Sequence, residues 1–118
     1  MTSFSEGPVL IAGGGPVGLI TALALARQGL PVHVFEAESK VNDSPRAATT
    51  HAATLEMLDD LGVVEEVIRH GLVEPLFRIW DRSTGKLGAE FDFGHLKNDT
   101  PYPFALQYEQ HKLANLAI

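Results

Sequence analysis

The sequence predicts an α/β chain organised around a β-α-β unit, on three observations. An apolar run, Val9-Leu10-Ile11-Ala12, leads directly into Gly13-Gly14-Gly15-Pro16-Val17-Gly18. A stretch that is apolar nearly all round follows as far as Gln28. A second apolar run, Val32-His33-Val34-Phe35, then ends in the acid Glu36, eighteen residues past Gly18. G-x-G-x-x-G alone says little, but here it follows a strand, opens a helix and precedes a second strand closed by an acid, which is the dinucleotide-binding fingerprint.

Each element has a physical reason. Pro8 to Ala12 reads as a buried strand, and Gly13 allows the tight turn out of it. Gly15 lets a diphosphate approach the backbone without meeting a Cβ, and Gly18 lets the helix pack closely on the sheet. The helix predicted over Pro16 to Gln28 offers free N–H groups and a partial charge of about +0.5 at its start. Gly13, Gly15, Pro16, Val17 and Gly18 are therefore the expected phosphate cradle. Gly29 suits the position just past the helix, Arg27 lies in the last turn where a cation is favoured, and Pro31 forbids continuation. The Glu36 carboxylate can accept hydrogen bonds from ribose hydroxyls and disfavours a 2′-phosphate, which favours FAD or NAD over NADP.

Residues 37 to 50 form a polar loop containing Asn42, Asp43, Ser44 and Pro45. Thr50 is the expected N-cap of a helix from about His51 to Leu61, with Leu55, Leu58 and Leu61 on one face, and Gly62 breaks it. A short amphipathic helix follows, with Val63, Val64, Val67 and Ile68 inward, Glu65 and Glu66 outward, and Gly71 at its end. The period then changes to two: Leu76 to Arg82 and Lys86 to Phe93 read as strands of an antiparallel hairpin joined by Ser83-Thr84-Gly85. Leu87, Ala89, Phe91 and Phe93 share one face of it. Phe104 to Gln107 reads as one more strand and Tyr108 to Ile118 as a helix. A simple nicotinamide-type domain would continue strand, helix, strand in one parallel sheet. Two helices and a hairpin in that place point instead to a flavoprotein layout.

Composition sets the outer bounds. The chain has 118 residues, 45% of them hydrophobic, which is the size of one domain but short for a complete nucleotide-binding sheet. A net charge of −6 argues against nucleic acid or an anionic membrane as partner. The absence of cysteine excludes disulfides, thiolate metal sites and cysteine nucleophiles. Met1 to Glu6 lacks a basic n-region and apolar core, and Val9 to Leu25 is broken by glycines and Pro16, so a cytoplasmic protein without a membrane span is expected. His33, His51, His70, His95 and His111 show no metal-ligand spacing, so no metal is expected. Phe77, Trp80, Phe91 and Phe93 read first as packing residues on strands, with a substrate-facing role for part of that sheet as the alternative. Asp59-Asp60 and Glu65-Glu66 are neighbours on helices and point apart, so neither is an acid–base pair.

These features together resemble the N-terminal part of the FAD-dependent aromatic hydroxylases, the single-component flavin monooxygenases related to para-hydroxybenzoate and phenol hydroxylases. The resemblance spans essentially the whole chain. It rests on residues Val9 to Leu19, on Val34-Phe35-Glu36, and on Pro45-Arg46-Ala47 ahead of Thr54-Leu55-Glu56-Met57-Leu58-Asp59-Asp60-Leu61-Gly62. It implies a Rossmann-like FAD-binding unit in which Glu36 binds the adenosine ribose. It further implies that Arg46 lies along the pyrophosphate and that Gln107 contacts the ribityl and phosphate region. A guanidinium suits paired phosphate hydrogen bonds, so chemistry and resemblance agree at Arg46. Gln107 alone would read as a surface amide.

The resemblance also implies a small aromatic substrate, molecular oxygen, and NADH or NADPH as reductant. Catalytic residues are not assigned. Ala37 stands where many members carry a base, and the family's second FAD motif and most of its substrate domain fall outside the chain. Residues 1–118 are therefore expected to be the first part of a longer enzyme, with about 76–107 beginning the substrate-side sheet. Uncovered edges of that kind also allow a homodimer. Two other readings stand beside this one: an NAD-dependent dehydrogenase using the same fingerprint, and a non-enzymatic nucleotide-binding fragment.

Overall fold

The computed structural model describes residues 7–44 and 46–118. Met1 to Glu6 and Pro45, on which the leader and Pro45-Arg46-Ala47 readings partly rest, lie outside the described residues. The chain divides into two units, residues 1–46 with 109–118 and residues 47–108.

In the first unit, β1 (Val9–Ala12) and β2 (Val32–Phe35) pair in parallel, with Leu10 opposite His33 and Ile11 opposite Val34. The helix α1 (Pro16–Arg27) connects them and packs on the face carrying Ile11, Val32 and Val34, all half-buried. A two-stranded sheet with a helix on one side buries one face only. Leu10 and Phe35, on the other face, stay exposed, so β1 is not the fully buried strand that its composition suggests. The helix ends as its sequence predicts. Leu30 N–H donates to the Leu25 carbonyl and Gly29 N–H to that of Ala26, and Gly29 takes the left-handed φ of +79° that this closure needs. The helix α4 (Gln110–Leu116) packs against α1, burying Ala114 in this unit as α1 buries Ile20.

The second unit opens with β3 (Thr49–Thr50), followed by α2 (Ala52–Asp60) and α3 (Val64–His70). Then come β4 (Leu72–Glu74), β5 (Leu76–Trp80), β6 (Leu87–Asp92) and β7 (Ala105–Gln107), with one 3₁₀ turn over Phe93–Leu96. The hairpin β5–β6 is antiparallel as expected, with Phe77 opposite Phe91 and a register shift beyond Ile79. Phe93 falls outside it, in the 3₁₀ turn, whose start is capped by the Asp92 carboxylate accepting from Gly94 N–H at 2.7 Å. A three-stranded antiparallel sheet of order β3-β7-β4 was not legible beforehand.

That sheet corrects the role given to Thr50. Thr50 is buried in β3 opposite Leu106, and His51 occupies the N-cap position of α2 without a side-chain cap. The pairing partner lies more than fifty residues away, so local propensity favoured the cap. The core of this unit is Leu55, Leu58, Val64, Val67 and Leu106, all shielded from solvent. Gly71 closes α3 by proximity: a Cβ there would stand 2.8 Å from two Leu106 side-chain carbons.

Candidate functional site

The turn between β1 and α1 is built as its three glycines predict. Gly13 has φ +104°, a conformation side chains rarely adopt, and its N–H donates to the Phe35 carbonyl at 2.7 Å. A Cβ on Gly18 would lie 2.0 Å from the Gly13 carbonyl oxygen and 3.4 Å from Cγ2 of Ile11, so this glycine is what lets α1 sit on β1. Gly15 has neither the positive φ of Gly13 nor the close neighbour of Gly18. A Cβ there meets nothing within 4 Å, which is open space at the mouth of the helix. Pro16 is the first helical residue, and a helix start leaves the N–H groups of Val17 and Gly18 without intrahelical acceptors.

Glu36 holds the other side of this turn. One carboxylate oxygen accepts from Gly14 N–H at 2.6 Å and the other from Glu38 N–H at 2.9 Å. Those bonds, that from Glu38 foremost, hold its carboxyl below the ordinary carboxylate value. The acid is thus ionised and aimed at the turn, with further lone pairs for hydroxyl donors.

Around these residues the first unit forms a cleft of about 590 Å³. Gly14, Gly15, Pro16, Glu36 and Arg46 line it, as do Lys40, Asn42, Gln110 and His111. Its size falls in the range of small-molecule sites. The fit to a dinucleotide is direct: open space at Gly15 for a diphosphate, an ionised acid for ribose hydroxyls, and two cations, Lys40 and Arg46, on the wall. Arg46 is exposed and oriented by an Nε hydrogen bond to Ser44 Oγ at 3.2 Å. Val17 is 81% exposed and its side chain does not line the cleft.

Gln107 is not among the residues lining that cleft. It ends β7 in the second unit, where its amide oxygen accepts from Thr49 Oγ1 at 3.1 Å, and it lines a different cleft with Phe77, Phe91 and Phe93. The glutamine on the first cleft is Gln110. Sequence reasoning passed over Lys40, Asn42, Gln110 and His111, because a loop lysine and the first turn of a short helix carry no local signal. Among the described residues there is no cluster of three or more His, Cys, Asp or Glu able to hold a metal ion. No described helix is long and apolar enough to cross a membrane.

Residues 6–117 match the model of the family described as FAD binding domain. The chain belongs to this FAD-binding domain family. One relative of the domain is the 6-hydroxy-3-succinoylpyridine 3-monooxygenase of Pseudomonas putida strain S16, 43% identical over 93% of this chain and 28% of its own length. Among solved structures, the p-nitrophenol 4-monooxygenase of Pseudomonas putida DLL-E4 superposes with a TM-score of 0.87 at 37% identity, covering 93% of this chain and 28% of its own. Aklavinone-11 hydroxylase, solved as a ternary complex with FAD and aklavinone, gives a TM-score of 0.79 at 29% identity over 98% of this chain and 24% of its own. This FAD-binding domain thus spans about a quarter of the length of the relatives it matches. The family is that of a flavin domain, which decides against the dehydrogenase reading of the same fingerprint.

Proposed function

We propose that this chain supplies the ADP-binding part of the FAD site in a monooxygenase that hydroxylates aromatic rings. The observation that carries the reading is the cleft in which Gly15 leaves open space beside an ionised Glu36 and a cationic Arg46. Its support from outside the chain is the family match and the aromatic monooxygenases among its relatives.

The chain's own part in this is binding and orientation. Backbone N–H groups at the start of α1 take the diphosphate, and the Gly18 contact fixes their direction by holding α1 to β1. Arg46, on the cleft wall, adds a charge-assisted contact to the same phosphates. Glu36 accepts from the adenosine ribose, Gln110 offers its amide to the dinucleotide from α4, and Gln107 offers its amide to the ribityl and phosphate region. FAD, when bound, carries reducing equivalents from NADH or NADPH to molecular oxygen, so that one oxygen atom enters the ring and the other leaves as water.

The second unit holds a cleft of about 510 Å³ lined by Leu76, Phe77, Phe91 and Phe93 among others. The Phe77 and Phe91 rings pack with centroids 6.1 Å apart, tilted by 39°. We assign residues 76–107, which span the β5–β6 hairpin and strand β7 of the neighbouring sheet, to the substrate side on the aromatic character of the hairpin. A cytoplasmic location accords with the need for NADH or NADPH, and the exposed apolar residues of the hairpin are compatible with a homodimer.

The test is turnover by the protein that carries this segment. With FAD, a nicotinamide donor and oxygen, it is expected to consume donor faster in the presence of a phenolic or hydroxypyridine substrate and to yield the ring-hydroxylated product. Donor oxidation that no aromatic compound stimulates, with no hydroxylated product, would refute the reading.

A further inference from the structure

The sheet β3-β7-β4 has two unlike faces. Thr50, Val73 and Leu106 share one, which carries the buried Thr50 and Leu106. Thr49, Glu74, Ala105 and Gln107 share the other, because side chains alternate along a strand and directly paired residues lie on one side. His51 follows Thr50 with extended backbone, φ −96° and ψ 166°, so it joins that second face. All five line the cleft of about 510 Å³ in the second unit, a volume in the range of small-molecule sites.

This cleft has a polar floor and an apolar wall. The wall is Phe77 and Phe91, a cross-strand pair on the hairpin, with Leu76 and Phe93 beside them. Phenyl rings there suit the packing of another flat ring. On the floor, Thr49 and Gln107 are bound to each other by the hydrogen bond between Oγ1 and Oε1. His51 and Glu74 are not engaged. Among the described residues neither side chain has a hydrogen bond or ion pair, and that of His51 caps no N–H of α2.

The register brings these two together. Glu74 on β4 pairs with Ala105, and His51, one residue past the Thr50–Leu106 pair, comes level with Ala105 from the β3 side. Their backbones are two strand spacings, about 10 Å, apart. The single methyl of Ala105 fills little of that gap, which leaves room for a ligand group over it. A neutral imidazole offers one N–H, and a carboxylate offers acceptors only. The ring substituent that uses both is a hydroxyl, which accepts from one and donates to the other.

We infer that this cleft seats a hydroxylated aromatic ring, packed against Phe77 and Phe91, with its hydroxyl held over Ala105 between His51 and Glu74. The inference rests on the reading of the chain as part of an aromatic monooxygenase and names the residues that select its substrate. A ring without the hydroxyl leaves both side chains unpaired.

The test is calorimetric titration of the FAD-loaded protein carrying this segment with 4-cresol and, separately, with toluene, in the absence of a nicotinamide donor so that nothing turns over. Wild type is expected to bind 4-cresol at least about fivefold tighter than toluene, the worth of the hydroxyl's hydrogen bonds. His51→Phe keeps a ring and removes the donor, and Glu74→Leu removes the acceptor. Each is expected to lose about 3- to 10-fold in affinity for 4-cresol while binding toluene within about twofold of wild type. His51→Gln, which keeps a donor, is expected to recover most of the 4-cresol affinity. Binding of 4-cresol by His51→Phe as tight as by wild type would overturn the inference, as would an equal loss for toluene, which would mark a packing role. A wild type that takes up FAD but binds neither compound, or binds both alike, would overturn this inference alone. A wild type that takes up no FAD would overturn the proposed function and this inference with it.

Discussion

The Glu36 carboxylate reaches back along the chain to accept the Gly14 N–H at 2.6 Å, so the acid closing β2 and the turn opening α1 form one structural piece before any ligand arrives. The two halves of the fingerprint, separated in sequence, are held in register by their own chemistry. Replacing Glu36 should therefore do two things at once: loosen the turn and remove the ribose acceptor. Glu36→Ala is expected to weaken FAD binding by about tenfold or more in titration. Glu36→Gln, which keeps an acceptor oxygen, should lose less.

Gly15 and Gly18 should separate binding from folding. Gly15→Val places its side chain in open space at φ −74°, ψ 179°, a conformation any residue adopts, so the apo-protein should melt within a few degrees of wild type. FAD binding should be abolished, because that space is where the diphosphate goes. Gly18→Ala forces a Cβ to within 2.0 Å of the Gly13 carbonyl oxygen, so α1 must move off β1, and a loss of about 1–3 kcal/mol of stability is expected in denaturant unfolding. Equal melting temperatures for the two variants would contradict the assignment.

Arg46→Ala is expected to be milder than Gly15→Val. Loss of one charge-assisted phosphate contact corresponds to about 1.5–3 kcal/mol, or roughly 10- to 150-fold in affinity. The loss should shrink at high salt, since the contact is exposed.

The hairpin turn offers a pH prediction. Asp81 accepts from the Ser83 hydroxyl at 2.7 Å and the Thr84 hydroxyl at 2.8 Å, bonds that lower its pKa from 3.8 to about 2. A depressed carboxylate stabilises the turn above its unfolded pKa and loses that contribution as pH falls through the folded one. The stabilisation should thus be complete above about pH 4 and gone near pH 2. An NMR titration should place the Asp81 midpoint near the lower end of that window, and in Asp81→Asn the turn's dependence on pH there should vanish.

The β-α-β unit was legible because its constraints are local: a Cβ that cannot fit at Gly18, a left-handed turn at Gly13, a helix closed at Gly29. The helices α2 and α3 were legible from Leu55, Leu58, Val64 and Val67, whose spacing matches their burial. What escaped was set at long range. Thr50 looks like a cap until Leu106 pairs with it, and Leu72 to Glu74 shows too little pattern to declare a strand until β7 supplies the ladder. The site follows the same division. Gly15, Glu36 and Arg46 were named from chemistry and resemblance and line one cleft, whereas Gln107 is held by Thr49 on another and Gln110 stands on the first.

The most direct measurement is FAD uptake by the purified protein carrying this segment, wild type beside Gly15→Val. The account predicts a yellow wild type that releases its flavin on denaturation, since the segment offers no cysteine for a thioether link, and a colourless Gly15→Val of the same fold. A wild type that stays colourless after incubation with FAD, or a Gly15→Val that binds it as tightly, would contradict the claim that this turn is a dinucleotide cradle.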